Sequence, residues 1–256
     1  LTECAPVINR PHDLLPMPDG RTLVLAGTPG YGLTGGGLLL WDRTSGHRRL
    51  LQHEQLLPNH STMSLVALSP QRLLGGTTTD AGTGGERKAK EAELYILDLE
   101  TGEIAWRSAM VPAAQSITDL APGPRGLVYG FSDRTRFFVF DPARREVVHT
   151  AELKDSFGPV VTGQGPRAFV RDRHGRTFTL FNRGIARIDD DGVAIAIAIA
   201  ALFATGADED DVCSGFLVKR KEPQIRFHPC ATVVRLRVAH DTLEALVPFA
   251  PLLIRL

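Results

Sequence analysis

Long hydrophobic runs are missing from this sequence. The longest, Val193 to Ala204, has twelve residues, whereas a helix needs about 20 to cross a bilayer, so no membrane partner is expected. No signal-peptide pattern opens the chain, which begins with Leu1, and no compartment is assigned. Cysteine is scarce. Cys4, Cys213 and Cys230 are too few for a disulfide framework. A bridge between Cys213 and Cys230 suits an oxidising compartment, and two reduced, partly buried thiols are the favoured alternative. An excess of one charge is also missing. Lys plus Arg and Asp plus Glu are both 29, which argues against nucleic-acid binding through bulk charge. Nor does any run of ten or more residues show the 3.6-residue periodicity of an amphipathic helix, so the chain reads as all-β.

What is present is a repeat. An apolar triplet, an Asp, a short turn and a second apolar strand recur along the chain. The copies are Leu39-Leu40-Trp41-Asp42 with Thr44-Ser45-Gly46, Tyr95-Ile96-Leu97-Asp98 with Glu100-Thr101-Gly102, and Phe138-Val139-Phe140-Asp141 with Pro142. A fourth ends on Asp189, and a degraded fifth on Asp241. The four intervals between these aspartates are 56, 43, 48 and 52 residues. A period near 50 with strand-turn-strand content fits β-propeller blades of four antiparallel strands. The intervening residues supply two more strands per unit, among them Thr22 to Ala26 after the Asp19-Gly20 turn, and Thr177 to Phe181 after His174-Gly175. The expected blades are 1–56, 57–112, 113–156, 157–203 and 204–256, in one propeller domain spanning 1–256. Segment 190–232 departs from the pattern, with the acidic run Asp208 to Asp211 and the basic run Lys219-Arg220-Lys221. In such a blade the turns joining strands one to two and three to four share one face, and the remaining loops share the other.

Asp98-Leu99-Glu100-Thr101-Gly102-Glu103-Ile104-Ala105-Trp106 resembles the docking motif of quinoprotein-like (PQQ-like) propellers, Asp-x-x-Thr-Gly followed by Trp. Asp42 to Gly46 is a second copy without the Trp. The units also resemble bacterial WD40-like and YVTN-type repeats, as in Phe138-Val139-Phe140-Asp141-Pro142. The resemblance covers residues 10 to 190 and implies a propeller, in families that usually carry six to eight blades. Five units then mean either a short ring or a part of a larger one. Many activities share this architecture. One complete docking motif and no adjacent cysteine pair argue against a quinone, so no cofactor is expected and a quinone-dependent dehydrogenase ranks last.

Chemistry-bearing motifs are sparse. Gly30-Tyr31-Gly32-Leu33-Thr34-Gly35 has the spacing of a dinucleotide loop but leads into a strand rather than a helix. The long loop from Gly75 through Gly85 to Glu91 lacks the Gly-Lys-Ser/Thr ending of a P-loop. There is no Gly-x-Ser-x-Gly elbow. His228-Pro229-Cys230 has no partner at zinc spacing, and Asp189-Asp190-Asp191-Gly192 lacks the later Glu of a calcium loop, so no metal is expected. Asp42, Asp98 and Asp141 are read as turn caps, and Trp41, Trp106 and the Phe137, Phe138, Phe140 series as packing residues.

The remaining signal is a set of polar and basic residues that the topology sends to the loop face. These are Tyr31, Thr34 and His60, then Lys88 and Lys90, then Arg134 and Arg136, and finally Gln164, Arg167 and Arg183. Their charge suits an anionic small molecule or glycan, or a protein partner. The leading expectation is therefore a non-catalytic binding module. The alternative is a propeller-type polysaccharide lyase or hydrolase acting on acidic glycans, with His60, Tyr31, Arg134 and Arg167 as base, acid and carboxylate clamps.

Overall fold

A computed structural model describes residues 4–162 and 168–190, together with the strand segments Ile195–Ala200, Leu217–Val218 and Ile225–Arg226. It is all-β: a β-propeller of four-stranded antiparallel blades, with, among the described residues, one helical turn at Lys154–Phe157 and one 3-10 turn at Pro124–Gly126. Two compact units divide the chain, Leu1–Lys154 and Asp155–Leu256.

The first unit holds three blades, each a sheet in plain sequence order. Blade one is β1 (Arg10–Pro16), β2 (Thr22–Thr28), β3 (Gly37–Asp42) and β4 (Arg48–Gln52). Blade two is β5 (Ser61–Ser69), β6 (Arg72–Thr78), β7 (Leu94–Asp98) and β8 (Ile104–Ser108). Blade three is β9 (Ile117–Pro122), β10 (Val128–Ser132), β11 (Arg136–Asp141) and β12 (Glu146–Glu152). Strand β5 lies against β1 on one side and β9 on the other. Asp13 on β1 also accepts a hydrogen bond from the Leu65 backbone N–H on β5, at 2.7 Å.

Alternation decides which side chain meets which blade, because successive residues of a strand point to opposite faces. On β7, Tyr95 and Leu97 join Leu38, Leu40 and Leu51 of blade one, while Leu94 and Ile96 join Val128, Phe138 and Phe140 of blade three. Strands β5 and β6 split in the same way, Leu65 and Leu73 to one cluster, Val66 and Leu74 to the other. Blade two is therefore apolar on both faces, which is why its third strand reads as a continuous hydrophobic run rather than an alternating one. Each fully buried Leu or Phe contributes about 1.5–3 kcal/mol. Gly75 sits opposite Tyr95, and Gly130 opposite Phe138. A Cβ at either glycine would fall on the ring, 2.2 Å from Tyr95 Cζ and 2.1 Å from Phe138 Cζ.

The recurring aspartates cap turns as expected. Asp42 accepts hydrogen bonds from the Thr44 and Ser45 N–H groups, Asp98 from Glu100 and Thr101, and Asp141 from Ala143 and Arg144. Two residues after the first capped N–H comes a left-handed position in the blade-one and blade-two hairpins, Gly46 at φ 76° and Gly102 at φ 74°; the matching residue in blade three is Arg145, at φ 58°. The Ser45 and Thr101 N–H bonds hold the Asp42 and Asp98 carboxyls below the ordinary carboxylate range. Asp189, the fourth expected copy, lies on β15 opposite Ala196.

In the second unit one blade is described: β13 (Phe169–Arg171), β14 (Thr177–Phe181), β15 (Gly184–Asp190) and β16 (Ile195–Ala200). Asp172 caps its first turn through the His174 and Arg176 N–H groups. Beyond it, a two-residue pair joins β17 (Leu217–Val218) to β18 (Ile225–Arg226). The rest of the expected fifth unit, with Cys213 and Cys230, lies outside the described residues.

Candidate functional site

Two connections dominate the loop face of the first unit: 29–36, after β2, and 79–93, after β6. They are joined to each other. Gly32 N–H donates to the Thr83 carbonyl and Gly82 N–H to the Leu33 carbonyl, both at 2.9 Å. The Thr34 hydroxyl donates to the Glu86 carbonyl at 2.7 Å. A Cβ on Gly82 would stand 1.9 Å from the Gly30 oxygen, so only glycine lets these backbones approach. The glycine-rich sequence thus builds a loop-to-loop clasp, and a strand rather than a helix follows it.

Beside the clasp is a cleft of about 470 Å3 lined by Arg10, His12, Met63, Asp80 and Arg87 among others. The Arg10 guanidinium lies 5.5 Å over the Tyr31 ring and donates to the Thr83 hydroxyl at 2.8 Å. Tyr31 is 73% exposed. The His12 ring nitrogen Nε2 is 3.1 Å from the Thr28 hydroxyl. Arg87 pairs with Asp80 and donates to the Gln115 amide oxygen at 2.9 Å. Gln115 in turn donates to the Lys90 carbonyl at 3.1 Å, and its own N–H reaches Asp133 at 3.0 Å. This network carries the polar rim from blade two to blade three.

The residues expected from the sequence fall into four sets. Tyr31, Thr34, His60, Lys88 and Lys90 all belong to the joined loops or touch them, and Lys88 and Lys90 are exposed. His60 is pinned, its Nδ1 at 2.9 Å from the Pro58 carbonyl and its Nε2 at 2.9 Å from the Glu91 carbonyl. Arg134 and Arg136 stand at the blade-three loop. Arg134 is exposed, with its N–H on the Thr118 hydroxyl, whereas Arg136 donates to the Pro112 carbonyl and lies 3.8 Å from Glu152. Arg183 belongs to the second unit and donates to the Asp155 carbonyl at 2.8 Å. Gln164 and Arg167 lie outside the described residues.

Sequence reasoning missed Arg10, His12, Asp80 and Arg87. Arg87 was within the long loop already singled out, but Arg10 and His12 sit at the loop end of an innermost strand, where no local motif marks them. Among the described residues, no three His, Cys, Asp or Glu side chains gather as a metal ion would require, and no helix is long and apolar enough to cross a membrane. The chain matches no family model and no curated protein.

Proposed function

We propose that this chain is a propeller-type binding module that takes an anionic ligand, an acidic glycan or small acid, at the cleft beside the joined loops of blades one and two. The observation that carries this reading is Arg10 held over an exposed Tyr31 ring at the rim of that cleft. An open aromatic face suits the apolar face of a sugar ring, and a guanidinium suits its carboxylate. Lys88 and Lys90 add positive charge on the same loop. The binding reading is favoured over a lyase because His60 has both ring nitrogens at backbone carbonyls, leaving neither directed at a substrate. Kinship with YVTN-type and quinoprotein-like repeats is part of the same proposal, and rests on the Asp-x-x-Ser/Thr-Gly turns.

Calorimetric titration with a hyaluronan oligosaccharide, against a neutral cello-oligosaccharide, tests it. Binding of the acidic glycan is expected to weaken at least tenfold in Arg10→Ala and in Tyr31→Ala. Equal affinity for the neutral glycan, or binding unchanged in both variants, would overturn it.

A further inference from the structure

We propose a second binding site, on the turn face between blades two and three, for a small hydroxylated carboxylate such as a sugar acid. It stands independently of the loop-face reading. A cleft of about 630 Å3 opens there, lined by Gln71, Arg72, Asp98, Trp106, Pro142 and Arg145 among others.

Two departures from the repeat meet in this cleft. The first is on the fourth strand. Arg49 pairs with Leu40 in blade one, and Trp106 pairs with Ile96 in blade two, which is the matching register two residues before the capping Asp. Arg49 reaches the next blade and donates to the Thr101 carbonyl at 3.0 Å. Trp106 instead stacks on Phe140, with ring centroids 5.5 Å apart and planes 25° apart. The hairpin of blade three is thereby left without the cation that covers the hairpin of blade two.

The second departure is in that hairpin. Arg145 N–H donates to the Asp141 carbonyl at 2.8 Å, just as Gly46 does to Asp42 and Gly102 to Asp98. All three residues are left-handed, and this conformation is unfavourable for any residue with a Cβ. Arginine at a glycine position is therefore a local cost that the turn itself does not require, and such costs concentrate at functional positions. The Arg145 guanidinium is exposed and has no hydrogen-bond or ion-pair partner among the described residues.

The ligand class follows from the lining. Arg72 and Arg145 offer two guanidinium groups, and Arg72 is only loosely engaged, with Nε 3.7 Å from Asp98. One carboxylate suits them. Asp98 repels a more highly charged anion such as phosphate but accepts hydrogen bonds from hydroxyl groups. The indole of Trp106 provides an apolar wall for a sugar ring.

Fluorescence titration in a Trp41→Phe background, where Trp106 is the sole tryptophan, reads the site directly, with sodium glucuronate as probe and glucose and sodium phosphate as controls. A saturable response to glucuronate at millimolar concentration is expected, with none to glucose and a weaker one to phosphate. Arg145→Gly is expected to weaken glucuronate at least tenfold while the melting temperature holds or rises, because glycine suits the turn. Arg145→Gln, which keeps the backbone demand, should weaken it comparably and reads affinity even if the glycine variant folds poorly. Absence of a glucuronate response, parental affinity in both variants, or phosphate binding as tightly as glucuronate would each overturn the assignment.

Discussion

The two blade junctions of the first unit share a backbone and differ in side chains. Between blades one and two the contact is mostly aliphatic, with Leu38, Leu40, Leu51 and Leu73 around Tyr95. The Tyr95 hydroxyl is 2.7 Å from that of Thr62. Burial pushes the Tyr95 phenol well above its usual range, partly offset by that bond. Between blades two and three the ring at the matching position is Phe138, with no hydroxyl to satisfy, and Phe140 and Trp106 stack at its outer end. The outer rim follows the same division, closed by Arg49 at one junction and open beside Trp106 at the other. A repeat can thus hold its hydrogen-bond ladder constant while each junction chooses between a polar tie and an aromatic stack. On the turn face, a cleft opens at the junction where the stack replaces the tie.

Removing the stack should have the largest effect. Phe140→Ala is expected to cost about 3–5 kcal/mol, read by urea unfolding, since a large ring leaves a cavity that rigid sheets cannot close. A loss below that of Leu40→Ala at the aliphatic junction would show that the aromatic junction is not the stronger one. The glycines beneath the central rings sharpen the comparison next. Gly75→Ala and Gly130→Ala should each cost about 1–3 kcal/mol through overpacking, and clearly unequal losses would break the equivalence of Tyr95 and Phe138. Tyr95→Phe isolates the polar tie. It should cost roughly 1–2 kcal/mol, because the Thr62 hydroxyl loses its buried partner, whereas Phe138→Tyr should gain nothing.

The smallest effect concerns pH. The folded-state carboxyls of Asp42 and Asp98 lie below their ordinary value of 3.8. Their contribution to stability is therefore complete above that value, and is lost as pH falls through the depressed folded value. Asp42→Asn and Asp98→Asn should flatten the acid limb of a melting-temperature profile and leave the neutral limb lowered by a few degrees at most, as befits exposed turns. A steep acid limb persisting in the double variant would assign acid sensitivity to other carboxylates.

Much of the architecture was legible before any coordinates. Apolar runs bounded by Asp-Gly, Ser-Gly and Thr-Gly turns are local signals, and strands β2, β3, β7, β11 and β14 lie where those runs and turns indicate, whereas Gly75 to Thr78, expected to open the long loop, belong to β6 because they pair with β5 and β7. The turn role of Asp42, Asp98 and Asp141 was legible for the same reason, since a carboxylate capping the next two N–H groups needs no distant partner. The site was less legible. Thr34 and His60 carry the residue types of a ligand site, yet their polar atoms meet backbone carbonyls 52 and 31 residues away. Arg136 likewise closes on Pro112. Whether a loop side chain is free or engaged depends on what another loop brings to it.

By itself, then, the order of residues determined the strands, their turns and the blade repeat, because period-2 burial and Asx capping are short-range physics. Only the tertiary structure decided that two glycine-rich loops clasp one another, that Arg10 and Tyr31 meet, and that Trp106 turns toward Phe140 and leaves a cleft before Arg145. Those outcomes depend on distances between segments far apart in the chain, which alternation along a strand does not encode.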